Sequence, residues 1–153
     1  MVFARLRSIA GFSLAESLVV LAAIGIMSAI AIPAFVTYWQ AQAIRAGALE
    51  MISVLNRGRQ LAITNNTTVC VSQAANRVRL ELNLCGAAPV PWTGPGTDQQ
   101  GWFTLANNTQ VINNPGVAFT RLGGAVPAGQ YTVQVNNRQT TVTVAASGRI
   151  TSP

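Results

Sequence analysis

From Phe12 to Ile32 the chain is apolar or small at nearly every position, and Glu16 is the only ionisable residue in the run. As a helix this stretch spans about 31 Å, the thickness of a bilayer core. Past Pro33 the pattern becomes helical in period. Ala41, Ile44, Ala48, Met51, Leu55, Gly58 and Ala62 recur at spacings of three and four and make one face. Gln42, Arg45, Ser53, Arg57, Gln60 and Thr64 fall on the other side. Asn65-Asn66 is the stop signal. The spacing therefore predicts one helix of about 50 residues, apolar all round in its first half and amphipathic in its second.

The period then switches to two. Residues 77–84 alternate without a fault, so Val78, Leu80, Leu82 and Leu84 are expected to face the helix, with Arg77, Arg79 and Glu81 outward. A strand over 68–72 precedes it, joined by a turn at Ala74-Ala75-Asn76. Residues 86–100 hold Pro89, Pro91, Pro95 and three glycines and read as a loop. Further strands are expected at 102–105, 117–120, 131–135 and 140–145, with a second turn at Asn136-Asn137-Arg138, because Asn tolerates positive φ. The fold class this implies is α+β: a long N-terminal helix packed on antiparallel sheets.

Composition narrows the function. The 153 residues are half hydrophobic and only 9% charged. After the apolar run about 120 residues remain, enough for one ordinary domain. There is no His, so the usual general base near neutral pH is missing. No metal-ligand cluster and no phosphate loop stands out. Asp98 is a lone acid in the Gly/Pro loop and reads as a solvated turn residue. Catalysis is therefore not expected, and no metal or cofactor is implied. Cys70 and Cys85 permit one disulfide if the domain lies outside the cytoplasm. A hairpin turning at Ala75-Asn76 sets Cys70 opposite Glu81, so a bridge requires the chain to fold back at Gly86. Trp102 is expected in the core. Trp92 reads as an aromatic buried under its loop or as a stacking platform. Tyr38 and Trp39, just after the apolar run, suit a membrane-interface belt.

The N-terminal run has two plain readings. It is a single membrane anchor held with its N-terminus in the cytoplasm by Arg5 and Arg7, or a secretory signal with Ala29-Ile30-Ala31 as its cleavage site. Neither explains Glu16, since a carboxylate within a bilayer is costly and usually has a partner.

Gly11-Phe12-Ser13-Leu14-Ala15-Glu16 resembles the type III signal of type IV prepilins and pseudopilins. The basic leader, the Gly-Phe step, the Glu at the fifth mature position, the apolar run and Pro33 all match. Ser13 and Ala15 depart mildly from the commoner Thr and larger aliphatic. The resemblance implies a leader of residues 1–11, removed by a prepilin peptidase that cuts after Gly11. It implies N-methylation of Phe12, an inner-membrane and assembly helix over 12–35 containing Pro33, and a periplasmic domain over 36–153. Glu16 then pairs with the N-terminal ammonium of a neighbouring subunit, and losing that partner leaves a desolvated charge.

In the second half, Leu55, Arg59, Ala62-Ile63, Val69-Cys70-Val71, Gly101-Trp102-Phe103 and Ser147-Gly148-Arg149-Ile150 resemble the GspH/FimT group of pseudopilins and minor pilins. That resemblance implies a helix cradled by two small antiparallel sheets. It also implies a low-copy tip or initiation subunit of a type IV pilus, or alternatively of a type II secretion pseudopilus, with other pilin-like subunits as partners. Some relatives bind double-stranded DNA through a Gly-Arg-x-Arg motif. Gly148-Arg149-Ile150-Thr151 matches it until Thr151. Without the leader, eight Arg face four acids, a net formal charge of +4. Arg77, Arg79, Arg121, Arg138 and Arg149 lie in the β half and make candidate phosphate contacts alongside Gly148. The bland alternative is that these Arg only solubilise a charge-poor domain.

Overall fold

Ser13 stands immediately before the first helical residue, and its side chain starts the longest element of the chain. In the computed structural model, α1 runs over Leu14–Thr64 and continues through Pro33. The structure describes residues 13–83, 85–86 and 89–153. The leader, Gly11, Phe12 and Leu84 lie outside the described residues. The chain forms two compact units, Met1–Tyr38 and Trp39–Pro153.

In the first unit the described residues are helix from Leu14 onward, and nearly every side chain is exposed. The large apolar ones, Leu14, Leu18, Leu21, Ile26, Met27, Ile30 and Phe35 among them, bury little against this chain.

The second unit joins residues 39–64 of α1 to nine strands among the described residues. The buried helix positions are Ile44, Gly47, Ala48, Met51, Val54, Leu55, Gly58 and Ala62. They include all of the predicted apolar face except Ala41, which is half-buried. Two turns of that face meet the sheets closely. A Cβ on Gly47 would lie 2.6 Å from the Thr109 hydroxyl, so this position requires glycine for the sheet to approach. The helix ends at Thr64, and Asn66 takes a φ of 50° just beyond it.

One sheet holds β1 (Val69–Ala74), β2 (Arg77–Leu82), β3 (Val90–Pro91), β4 (Trp102–Thr104) and β6 (Ala118–Phe119). Its order is β3-β2-β1-β6, and β4 pairs with the start of β2 beyond the reach of β3. The other sheet has the order β5-β7-β8-β9, from β5 (Gln110–Val111), β7 (Gly129–Val135), β8 (Arg138–Val144) and β9 (Ile150–Thr151). All the pairings are antiparallel. Met51 and Leu55 from the helix, Val78 and Leu80 from the first sheet, and Val133, Val142 and Val144 from the second share one core.

Several expectations need correction. Glu81 does not face water: only 4% of it is exposed. The outer face of β2 is covered there, because Pro91 of β3 and Cys70 of β1 flank Glu81 on either side. Its carboxylate is held by Arg79, the one ion pair among the described residues. Leu82 is only half-buried, at the rim of the core. Trp102 lies on the outer face opposite Arg79, and its neighbour Phe103 takes the core position. The loop predicted over 86–100 contains β3, and the turn after β7 is Asn136-Asn137 alone, with Arg138 opening β8. Asp98 does organise a turn: its Oδ1 accepts hydrogen bonds from the backbone N–H groups of Gln100 and Trp102, both at 2.9 Å.

Candidate assembly helix and surface sites

The Ser13 hydroxyl oxygen accepts a hydrogen bond from the backbone N–H of Glu16 at 3.2 Å. Ser13 is thus the N-cap and Glu16 the third helical residue, which is the Ser-x-x-Glu spacing of a capping box with only its Ser-side bond formed. A carboxylate in the first turn also meets the positive end of the helix dipole. Sequence reasoning missed this local role, although Ser-x-x-Glu before an apolar run is its signature. The cap explains a carboxylate at a helix start. It does not explain a helix start placed inside an apolar run, because α1 contains a stretch long and apolar enough to cross a membrane, and none of that apolar stretch is buried. Glu16 is exposed, and no described residue pairs with its carboxylate.

Cys70 and Cys85 form a disulfide with a Cα–Cα distance of 5.6 Å. The register sets Cys70 opposite Glu81, and the chain folds back so that Cys85 reaches β1. The bridge closes a loop of separation 15 and holds the segment after β2 beside Glu81.

The candidate phosphate-binding residues do not come together as one patch. Arg138 and Arg149 flank opposite ends of β8, at the turn from β7 and at the turn into β9. Arg77 and Arg79 lie on β2 with their guanidinium carbons 5.4 and 4.6 Å from the Trp102 ring centroid, and Arg79 is also paired with Glu81. Arg121 and Arg149 do lie on two touching loops. Gly148 has a φ of 78°, and a Cβ there would run into the carbonyl oxygen of Gly123. The N–H of Ala125 donates to the Ala146 carbonyl at 3.0 Å beside this contact. Gly148 therefore has a structural reason to be glycine, independent of any motif.

Arg57, which the sequence placed on the outer side of α1, anchors the Gly/Pro loop. It donates to the Pro95 carbonyl at 2.6 Å and stacks over Trp92 at 5.3 Å and Phe103 at 5.8 Å. Glu50 accepts a hydrogen bond from the Ala106 N–H at 2.8 Å. In the core, burial holds the Tyr131 hydroxyl well above its ordinary ionisation range, with the nearby Val117 backbone opposing more weakly. No partner of good hydrogen-bond geometry meets that hydroxyl among the described residues. No group of three or more metal-ligating side chains forms among the described residues.

No protein-family model matches the chain, and no curated protein sequence matches it. Solved structures do. The type IV minor pilin FimU of Pseudomonas aeruginosa superposes with a TM-score of 0.57 at 15% identity, over 76% of this chain and 92% of that one. A second crystal form of FimU gives 0.55 at 13% identity, over 71% and 91%. The minor pseudopilin EpsH from the type 2 secretion system of Vibrio cholerae gives 0.50 at 15% identity, over 72% and 95%. The fold is therefore that of minor pilins and pseudopilins: α+β, with a long helix packed on antiparallel sheets.

Proposed function

We propose that the chain is a minor pilin-like subunit of a type IV filament, built as a low-copy tip or initiation component. The observation that carries this reading is the uncovered apolar half of α1, which opens on a capped Glu16 and leads into a domain with the minor-pilin fold. An apolar helix that its own chain leaves bare needs lipid before assembly and neighbouring helices after it. Cleavage after Gly11 frees the amine of Phe12, which is then methylated. In the filament Glu16 of one subunit takes the N-terminal ammonium of a neighbour, so register is set by avoiding an unpaired charge in an apolar bundle. Pro33 lies within the same helix and removes one backbone donor there. Until assembly the subunit spans the inner membrane once, with residues 36–153 in the periplasm, where an oxidising milieu suits the Cys70–Cys85 bond.

Mass spectrometry of the mature N-terminus tests the reading. N-methylated Phe12 is expected. A start near Ile32 would establish an ordinary signal peptide instead, and an intact leader would leave a simple anchor.

The better superposition on FimU favours a pilus. The pseudopilus reading rests on the EpsH likeness, and co-purification with secretion-system or pilus subunits separates the two. Contact with double-stranded DNA is a finer part of the pilus reading. Its support is the pairing of Arg121 and Arg149 on touching loops and the net positive charge. Arg77, Arg79 and Arg138 are dispersed and contribute less.

A further inference from the structure

Among the described residues the second sheet leaves one edge largely open. β8 pairs with β7 along its whole length, but β9 covers only Thr143 and Val144. The hairpin phase tells which groups the open stretch presents. Val135 and Arg138 close a two-residue turn, so Arg138, Thr140 and Val142 bond toward β7. Thr132, the partner of Thr141, confirms the phase. Its N–H donates to the Asn113 side chain and its carbonyl accepts from the Ile112 N–H, both on the β5 side. Gln139 and Thr141 therefore direct N–H and C=O groups outward, away from β7. Past Thr151 the chain leaves the ladder, and Ser152 and Pro153 line a groove with Thr140, Ile44, Arg45, Ala48 and Leu49. The groove holds about 270 Å³. On its helix side Ile44, Ala48 and Leu49 are apolar beside Arg45, and Leu49 is 64% exposed. Arg45 lines it, Arg138 is exposed nearby in sequence at the start of the open strand, and none of the lining side chains is an acid.

We propose that this edge receives an extended, acid-bearing segment of a neighbouring filament subunit, which adds as a strand antiparallel to β8. Unpaired ladder groups give the backbone of such a segment its partners, and the groove selects alternate side chains. The partner's residues opposite Val142 and Thr140 lie over Ile44, Ala48 and Leu49 and are apolar. The residue opposite Arg138 is acidic, within reach of Arg138. The identity of the donor as a filament subunit rests on the function proposed above, whereas the receptivity of the edge does not.

The first arm of the test therefore works without a filament. The full-length chain, isotope-labelled and held in detergent micelles, is titrated with the peptide acetyl-Val-Thr-Val-Thr-Glu-amide and followed by NMR. Amide shifts confined to residues 138–142 and 44–49 are expected. A peptide ending in Lys instead of Glu should bind about three- to fivefold more weakly, the size of exposed charge pairs. Thr141→Pro removes one outward donor without touching the β7 ladder and should abolish the shifts. No shifts at millimolar peptide, shifts that survive Thr141→Pro in a folded domain, or equal affinity for the Glu and Lys peptides would overturn the proposal. The second arm places a photoreactive residue at Gln139 in cells. A crosslink to another filament subunit that Thr141→Pro removes supports the stated donor. An incorporated subunit that gives no crosslink from Gln139 to another filament subunit overturns it, and absence of the subunit from filaments refutes the filament reading instead.

Discussion

Leu21 and Leu55 lie on one helix and have the same side chain. Leu21 is 68% exposed, whereas Leu55 is fully buried among Met51, Leu80 and Phe119. The same contrast separates the two units throughout. Near Leu55 the apolar positions follow the helical repeat, and the protein's own sheets cover them. Near Leu21 apolar side chains surround the helix on every side, and no strand among the described residues covers them. Burial is thus not set by the apolar residue but by whether the sequence also supplies a partner. The second unit buries its own apolar face, and the described part of the first leaves its apolar surface exposed.

The largest expected effect breaks the two units apart. Leu55→Ala should destabilise the domain by about 2–5 kcal/mol, because a fully buried side chain leaves a cavity between helix and sheets. Leu21→Ala should leave the same denaturant melt unchanged. An equal loss from both would mean that the first unit is covered by its own chain after all.

The disulfide comes next. A bridge closing a loop of this length contributes about 3 kcal/mol. Reduction should lower stability by that order in a urea melt and loosen the segment after β2, leaving Glu81 more accessible. An unchanged melt would make the bridge incidental.

A pH effect sharpens the comparison from the core side. Burial raises the ionisation of Tyr131 above its unfolded value, so the folded state keeps a proton that the unfolded state loses. The stabilisation is fully present below pH 10 or so, where unfolded Tyr ionises, and falls as pH rises beyond it. Tyr131→Phe should flatten that alkaline decline. Melting curves collected between neutral pH and about pH 11 check both.

The smallest effects belong to the basic surface. Arg149→Ala should leave stability unchanged, whereas Gly148→Ala should lower it, because Gly148 is in the left-handed region against Gly123. If DNA is bound, Arg149→Ala weakens it more than Arg57→Ala, since Arg57 is committed to Pro95. Affinity then falls steeply with salt. Anisotropy with double-stranded DNA at about 50 mM salt and tens of micromolar protein decides this, and absence of binding there would leave Arg149 a plain surface charge.

The helix was legible in the sequence because a period of 3.6 sustained from Ala41 to Ala62 has few other causes. The central hairpins were legible for the same reason at period two, down to the pairing of Cys70 with Glu81. What stayed hidden has physical causes. The strands β3, β5 and β9 are two residues long, too short to carry any period. Alternation alone put Glu81 in water, because nothing local reports that β3 and the disulfide-held segment cover that face. Trp102 and Phe103 are adjacent and both large, so alternation without a phase could not choose which one enters the core. The dispersal of the Arg residues depends on which loops touch. The Ser13 cap does have a local signature, Ser-x-x-Glu, but here that signature is embedded in an apolar run of membrane length.

The proposed role of the bare half of α1 is that of an assembly surface whose register Glu16 sets. Glu16→Val tests it most directly, because it removes the carboxylate while keeping the run apolar. The variant is expected to insert in the membrane, to melt like the parent in its Trp39–Pro153 unit and to be missing from sheared filaments. Parent-level incorporation of a folded Glu16→Val subunit would contradict it.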